Sequence, residues 1–342
     1  MIRVCICGAF RMKSKPRGGQ EIKTAILAEE FEKQYGKVYK IDTVGTINHV
    51  FLPLRLLFAL LTCKNIIILP AQNGLIVESL LLRYCNTIFQ KRLHYVVIGG
   101  WLQDYLPNHK YTANALKHFY GIYVETSTMK KALEKNGYNN IYLFHNFKSY
   151  NIVAPYTLNE NDIHPPLRVC TFSRVSEMKG IGDAIRVIKE INKTKERPVI
   201  LLDIYGPMED CDKVWLENEK EHFTPEINYC GIVPFDKTTE VLSKYFALLF
   251  PTKYFTEGIP GTIMDAYAAG LPVISARWKS FEDVVEEGIT GFGYDFDSIE
   301  ALMDKLLMII DNPSSILKLK NNCIRKAGEY LPQNVLPIIK LE

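Results

Sequence analysis

Apolar runs of strand length alternate along most of the chain with stretches whose apolar residues recur every three to four positions. In the first half the runs fall at residues 3–7, 38–44, 65–69, 94–98, 121–124 and 141–144. Helical patterns lie between them at 20–34, 54–62, 75–89 and 127–136. In the second half strands are predicted at 168–172, 199–205, 227–230, 246–250 and 272–275, and helices at 180–192, 238–245, 262–269 and 298–310. A strand wetted on one face alternates apolar and polar residues; these runs are continuous, so both faces are buried. Helices between successive strands imply parallel pairing, because parallel strands need a long crossover. The pattern therefore predicts an α/β chain of two doubly wound, Rossmann-like domains.

A length of 342 residues agrees with two cores. The stretch 148–166, KSYNIVAPYTLNENDIHPP, holds three prolines and no sustained period, and is predicted to be loop. The expected organisation is an N-terminal domain over 1–150, a linker over 151–166, a C-terminal domain over 167–325 and a tail over 326–342 that packs back on the first domain. Two such domains would face each other across a cleft at the carboxyl ends of their sheets, where ligands bind in these folds.

Composition narrows the class. With 47% apolar, 23% charged and 11% aromatic residues the chain is neither disordered nor fibrous. Eight cysteines without a CxxC exclude a zinc knuckle of the usual spacing and a thioredoxin-type pair, and predict reduced, mostly buried thiols. The first residues carry too short an apolar run for a signal peptide. The greasiest stretch, 47–61, is interrupted by Pro53 and Arg55 and is shorter than the roughly 20 residues of a membrane span, so it is expected to be a buried helix. These features predict a cytoplasmic chain, at most peripheral on the inner face of a membrane. The net charge of +3 conceals a split. Residues 1–150 hold 20 Lys and Arg against 9 Asp and Glu, a surplus of +11; residues 151–342 hold 21 against 29, a balance of −8.

The densest chemistry is at 257–275, EGIPGTIMDAYAAGLPVIS. An acid precedes a Gly/Pro turn, a short helix and a buried strand. Gly258 and Gly261 allow a ligand close to the backbone, and the amides of Gly261, Thr262 and Ile263 open a helix, a natural diphosphate site. Glu257 and Asp265 could accept paired hydroxyls of a sugar or ribose. Read without that ligand, the same stretch is a strand–loop–helix with an acid favoured by the helix dipole. A second candidate is Ser173-Arg174 after a predicted strand with Lys179-Gly180 before the next helix. Arg offers a planar fork and Lys a point charge to a phosphate, or both are ordinary loop cations.

These two stretches together resemble retaining glycosyltransferases of the GT-B fold, family GT4: Glu257 to Asp265 resembles the E-x7-E region, with Asp265 in place of the second Glu, and Arg174 to Gly180 resembles the S-R-x(4)-K-G segment. The resemblance implies that Glu257 contacts the donor sugar, that Asp265 contacts the ribose, and that Arg174, Lys179 and the amides of 261–263 hold the diphosphate of a nucleotide-sugar. It also implies donor contacts at Gly19 in the loop Arg17-Gly18-Gly19-Gln20, and at Gly231 and Val233, whose backbone would face the base. Ile204-Tyr205-Gly206-Pro207 looks like the family's turn after its second strand. On the acceptor side it points to Gly100 and Trp101, at a strand end where relatives place a His that this chain lacks, and to Asn146, which an Asx turn would equally explain. His145 is read as structural.

The implied activity is retaining transfer of a sugar, from UDP first and GDP second, to a hydroxyl of a glycan or polyprenyl-diphosphate-linked acceptor, as in bacterial surface polysaccharide assembly. No cofactor or metal is expected: the pairs Asp210/Asp212 and Asp295/Asp297 are read as solvated turns, and no HExxH, GxSxG or G-x-G-x-x-G occurs. Neither is nucleic acid an expected partner, since no binding module appears. The basic first half, with Arg11, Lys13, Lys15, Arg17, Arg83, Lys91 and Arg92, points to an anionic membrane surface or lipid acceptor, with apolar faces at 54–61 and 80–82. Two other readings stay open, a GT-B nucleotide-sugar epimerase and a catalytically silent nucleotide-sugar-binding partner.

Overall fold

A computed structural model describes residues 2–11, 19–157 and 164–341, in two compact units: Met1–Lys148 with Pro332–Glu342, and Ser149–Leu331. Each unit is built on a six-stranded sheet in which every pairing is parallel.

In the first unit the strands are β1 (Ile2–Gly8), β2 (Val38–Asp42), β3 (Cys63–Ile68), β4 (Arg92–Val96), β5 (Gly121–Val124) and β6 (Ile141–Leu143), in the order β2-β1-β3-β4-β5-β6. Helices α1 (Gly19–Tyr35), α2 (Thr46–Thr62) and α3 (Gln72–Phe89) supply the first three crossovers, followed by α4 (Leu102–Tyr105), α5 (Lys110–Leu116) and α6 (Ser127–Lys135). Alternate strand residues feed two cores. Cys5, Cys7, Ile66 and Ile68 meet Leu52, Leu56 and Leu60 of α2 and Leu75 and Leu82 of α3. Val4, Ile6 and Ile67 meet Leu27 and Phe31 of α1 and, from the C-terminal segment, Val335, Leu336 and Ile339. Asn65 Nδ2 donates to Leu341 O at 3.1 Å, which fixes that segment to β3.

The second unit contains β7 (Leu167–Phe172), β8 (Ile200–Tyr205), β9 (Ile227–Gly231), β10 (Ala247–Phe250), β11 (Val273–Ala276) and β12 (Gly291–Tyr294), in the order β12-β11-β10-β7-β8-β9. Its helices include α7 (Ile181–Thr194), α8 (Asp210–Lys220), α9 (Thr238–Leu242) and α10 (Gly261–Ala268). The strand order reverses between β7 and β10. The crevice at such a reversal, outside the carboxyl ends of the strands, is where open α/β sheets bind ligands. The loops that follow β7 and β10 hold the motifs singled out above.

Three departures from the sequence reading have plain causes. α2 begins eight residues before the 54–62 pattern and carries Pro53 inside it, a residue that removes one helical amide and crowds the preceding turn. The same helix is not buried throughout: only Leu52, Leu56, Ala59 and Leu60 are. The described part of the expected linker is packed structure of the second unit. Val153 N donates to Ala268 O at 2.9 Å, Tyr156 N to Asn321 Oδ1 at 2.9 Å, and the Tyr150 hydroxyl to Ala327 O at 2.6 Å. All eight cysteines are free thiols; five are buried, while Cys211 and Cys230 are exposed. Among the described residues no helix is long and apolar enough to cross a membrane.

Candidate active site

The site is assembled by three loops at the carboxyl ends of β7, β8 and β10, and backbone contacts fix them to one another. After β7, Ser173 N donates to Tyr205 O at 3.1 Å and Val175 N to Pro207 O at 2.9 Å. Gly206, at φ +140°, makes that approach possible, because a Cβ there would lie 1.7 Å from Ser173 O. A single turn, Glu177–Lys179, then leads to Gly180, at φ +70°. A Cβ at Gly180 would lie 1.8 Å from Pro251 O, and Lys253 N donates to Met178 O at 3.0 Å, so this turn is held against the loop after β10. Both glycines are required by position, not by flexibility.

This framework brings Arg174, Lys179 and Glu257 into one cluster. Lys179 Nζ forms an ion pair with Glu257 Oε1, and each side chain is only 17% exposed. Thr252 Oγ1 donates to the same carboxylate oxygen at 3.1 Å. Arg174 Nη1 lies 2.5 Å from Glu209 Oε1 and Nη2 donates to the Tyr254 hydroxyl at 3.2 Å. Tyr254 joins the two cations, since Lys179 Nζ also sits 4.9 Å from its ring centroid, with the Phe250 ring at 5.6 Å. Glu209 holds the Arg174 guanidinium still further above its already high pKa, chiefly through their hydrogen bond.

Helix α10 closes the cluster. Its cap, Pro260, provides no side-chain hydrogen bond. The Ile263 amide donates to Pro260 O at 3.1 Å, so it is not the free donor that the sequence suggested, and its side chain is core. Among the described residues the amides of Gly261 and Thr262 keep no such bond, as first-turn amides do. The Thr262 hydroxyl donates to Phe172 O and ties the helix start to the end of β7. Gly258 is buried in the turn before it. Asp265 lies one turn further on and is buried at 4% exposure. Burial, and then the charge of Asp265, push the Tyr150 phenol upward. The two acids of the motif thus sit in different surroundings: Glu257 is paired with Lys179 among the loops and Asp265 is buried in α10.

Gly231 ends β9 at φ +78°, and its carbonyl accepts from Gly206 N at 2.9 Å, which links the loop of Ile232 and half-buried Val233 to the same framework. The remaining sequence candidates belong to the first unit. Gly19 is the exposed first residue of α1, while Arg17 and Gly18 lie outside the described residues. Gly100 is buried. Trp101 spends its indole N–H on Ile98 O at 2.8 Å and packs edge-on against Tyr105, as a residue at the rim of the core. Asn146 Oδ1 accepts from Phe147 N at 3.0 Å, and His145 Nδ1 lies 2.8 Å from Glu125 O.

Sequence reasoning missed Tyr254, Thr252 and Glu209. All three lie in irregular loops with no periodic signal, although Thr252 and Tyr254 stand within five residues of Glu257. Among the described residues one group could hold a cation, Glu209, Cys211 and Asp212; it is largely exposed, and its Glu209 is already engaged by Arg174. Asp210 pairs with Lys213 at 2.7 Å.

The paired six-stranded parallel sheets match solved glycosyltransferase structures along nearly the whole chain. HepE of Anabaena in complex with UDP superposes with a TM-score of 0.73 at 14% identity, covering 99% of this chain and 97% of that one. Sucrose-phosphate synthase from Thermosynechococcus elongatus gives 0.75 at 12%, covering 98% and 96%. The fold is that of the GT-B glycosyltransferases. The model of the family Glycosyl transferases group 1 matches residues 159–329, half of the chain, and the chain belongs to that family. It is also similar to the amylovoran biosynthesis glycosyltransferase AmsK of Erwinia amylovora, at 26% identity over 163 residues, 45% of this chain and 39% of that protein. The chain spans under two fifths of the length of the curated relatives it matches.

Proposed function

We propose that this protein is a retaining, metal-independent glycosyltransferase of the GT4 type. It moves a sugar from a nucleotide-sugar, a UDP-sugar before a GDP-sugar, to a hydroxyl of a glycan or lipid-linked acceptor in surface polysaccharide assembly. The observation that carries this reading is the cluster of Arg174, Lys179, Tyr254 and Glu257 in the loops after β7 and β10, with the start of α10 tied to the end of β7 through Thr262. A departing nucleoside diphosphate gathers negative charge, and donors already fixed in place stabilise it without reorganising. Arg174, Lys179 and the amides of Gly261 and Thr262 take that role. Glu257 orients Lys179 and receives sugar hydroxyls, Gly258 gives the sugar room, Asp265 serves the ribose, and the backbone at Gly231 and Val233 flanks the base. The complex of HepE with UDP supports the choice of base.

The reaction breaks the bond from the anomeric carbon to the phosphate oxygen and forms one from that carbon to the acceptor oxygen. Attack on the face of departure lets the phosphate oxygen take the acceptor's proton, which accounts for catalysis without a separate general base. A thermal-shift series with UDP-, GDP- and ADP-sugars tests the reading. Saturation with the matching donor, at about a hundred times its Kd, adds roughly 2.7 kcal/mol to stability. The expected result is a shift with a UDP-sugar that is smaller in Arg174→Ala; no shift with any of the three refutes it.

A further inference from the structure

Helix α2 is held to its sheet by Leu52, Leu56, Ala59 and Leu60. On its other side Ile47, Val50, Phe51, Leu54, Phe58 and Leu61 are between 47% and 72% exposed. At 100° per residue these six fall in one arc about 100° wide, and at 1.5 Å per residue the stripe runs for roughly 20 Å. No charged residue stands within the arc; Arg55 is at its edge, its guanidinium on Asn48 Oδ1 at 3.1 Å. Scattered exposed apolar residues need no explanation, but a continuous face of this size marks a contact. Helix α3, packed beside α2, adds exposed Val77, Tyr84 and Ile88 rather than the 80–82 face expected from the sequence, where Leu82 is core.

Cations frame this face. Where the stripe begins, a cavity of about 840 Å³ is lined by Ile47 together with Arg11, Lys40 and Arg55. Arg11 and Lys40 also pair with Glu21 and Glu32. The acid lining the cavity is Asp42, whose Oδ1 is occupied by the amides of Phe10, Arg11 and Val44. Exposed Lys64 follows the far end of the helix. Carboxylates do not balance these charges over the unit as a whole, which carries 21 Lys and Arg against 10 Asp and Glu, a surplus of +11.

We propose that the exposed face of α2 is the surface by which the first unit lies on an anionic phospholipid bilayer. The helix rests in the interface, with its apolar arc among the acyl chains and Arg55, Lys64 and Lys40 at the level of the headgroup phosphates. A helix of 17 residues with a polar rim is suited to lie in that plane. Charge decides between occupants. A second copy would cover the stripe but set two surpluses of +11 against each other, whereas anionic lipid neutralises them. No residue of the second unit takes part in this contact.

Flotation of the full chain tests it, with vesicles of phosphatidylcholine alone and of two parts phosphatidylcholine to one part phosphatidylglycerol. Binding to the mixed vesicles is expected to exceed binding to the neutral ones at least tenfold. The double variant Leu54→Asp/Phe58→Asp, whose sites are exposed, is expected to lose at least tenfold with an unchanged melting temperature. Arg55→Gln and Lys64→Gln should each lower binding roughly fivefold. Equal binding to both vesicles overturns the proposal, as does binding unchanged in the double variant. A dimer in light scattering that the same variant turns into monomer also overturns it, because a second copy then covers the face.

Discussion

Lys179 and Glu257, 78 residues apart in the chain, meet as an ion pair that is only 17% exposed at each end. The Tyr254 and Phe250 rings stand beside the ammonium, and Thr252 donates to the carboxylate. A charge so enclosed is screened less than one in open water, and the pair keeps Lys179 at one place before any ligand arrives. A cation held in this way is placed to meet a developing phosphate charge without reorganising.

Removing either cation should therefore lower turnover, and for Arg174 with little effect on folding. Arg174→Ala or Lys179→Ala is expected to lower kcat by roughly 10²–10³, as loss of one preorganised donor does. Arg174 is 39% exposed on its side chain, so its removal leaves no buried hole. Steady-state rates with the donor found by thermal shift provide the check; both variants within a few-fold of the parent would sink the assignment.

The two positive-φ glycines give a prediction about architecture. An alanine at Gly206 or Gly180 would place Cβ 1.7 Å from Ser173 O or 1.8 Å from Pro251 O. Something must move, and what moves is the backbone that carries Arg174 or Lys179. Each substitution is expected to cost on the order of 1–3 kcal/mol from the backbone conformation alone, with the clash adding to it. Urea unfolding measures this. Gly231→Ala is the control for Gly180, because its φ of +78° is close to the +70° of Gly180 but nothing lies within 4 Å of its Cβ. It should cost less than Gly180→Ala, and equal costs would show that φ, not the close approach, sets the requirement.

The same positions show what was legible in the sequence. Eleven of the twelve strands coincide with the runs read from the sequence; central strands such as β5, β10 and β11 leave that mark because both their faces are buried. The twelfth, GFGY at Gly291–Tyr294, is half glycine; it is set by pairing with β11, not by its own propensity. Arg174, Lys179 and Glu257 stood out because glycines and strand ends punctuate them. Tyr254 and Glu209 did not, since their place depends on which loops the sheet order makes neighbours. The exposed side of α2 was hidden for a different reason: the hydropathy of 47–61 reports how apolar a helix is, not how much of it finds a core.

Lys23 of α1 and Glu125 at the end of β5 pair at 2.7 Å with each side chain 2% exposed, and Lys23 Nζ also reaches Val97 O at 3.4 Å. Breaking such a pair from one side leaves an uncompensated buried charge. Glu125→Gln or Lys23→Met alone is expected to destabilise by roughly 3–5 kcal/mol. The double variant Lys23→Met/Glu125→Leu should recover most of that loss, since two apolar groups leave no charge stranded. Urea midpoints for the three proteins form the cycle. A double variant as unstable as the sum of the singles would show that the pair is more than a compensated charge.

Glu78 of α3 sits in the same unit beside Cys7, whose thiol donates to its Oε2 at 3.6 Å. Burial raises its pKa from 4.5 to about 8, against a smaller lowering from that thiol. Between those values the folded chain keeps a proton that the unfolded chain has released. Stability therefore falls as pH rises through this window, by up to about 1.4 kcal/mol per unit, and levels off above the folded pKa. Glu78→Gln keeps the shape without the titration. Its advantage over the parent should be close to nil below about pH 4.5 and largest above about pH 8. His94 works in the opposite direction. Buried against Tyr123 and Asn65, its pKa is lowered to about 3 by burial and by the Arg92 charge. The stability it contributes is present above pH 6.5 and is lost as pH falls toward 3. That loss is common to both proteins and cancels in the difference. Urea midpoints of parent and variant across the range give the comparison, and two parallel curves would mean that Glu78 is charged in the folded chain.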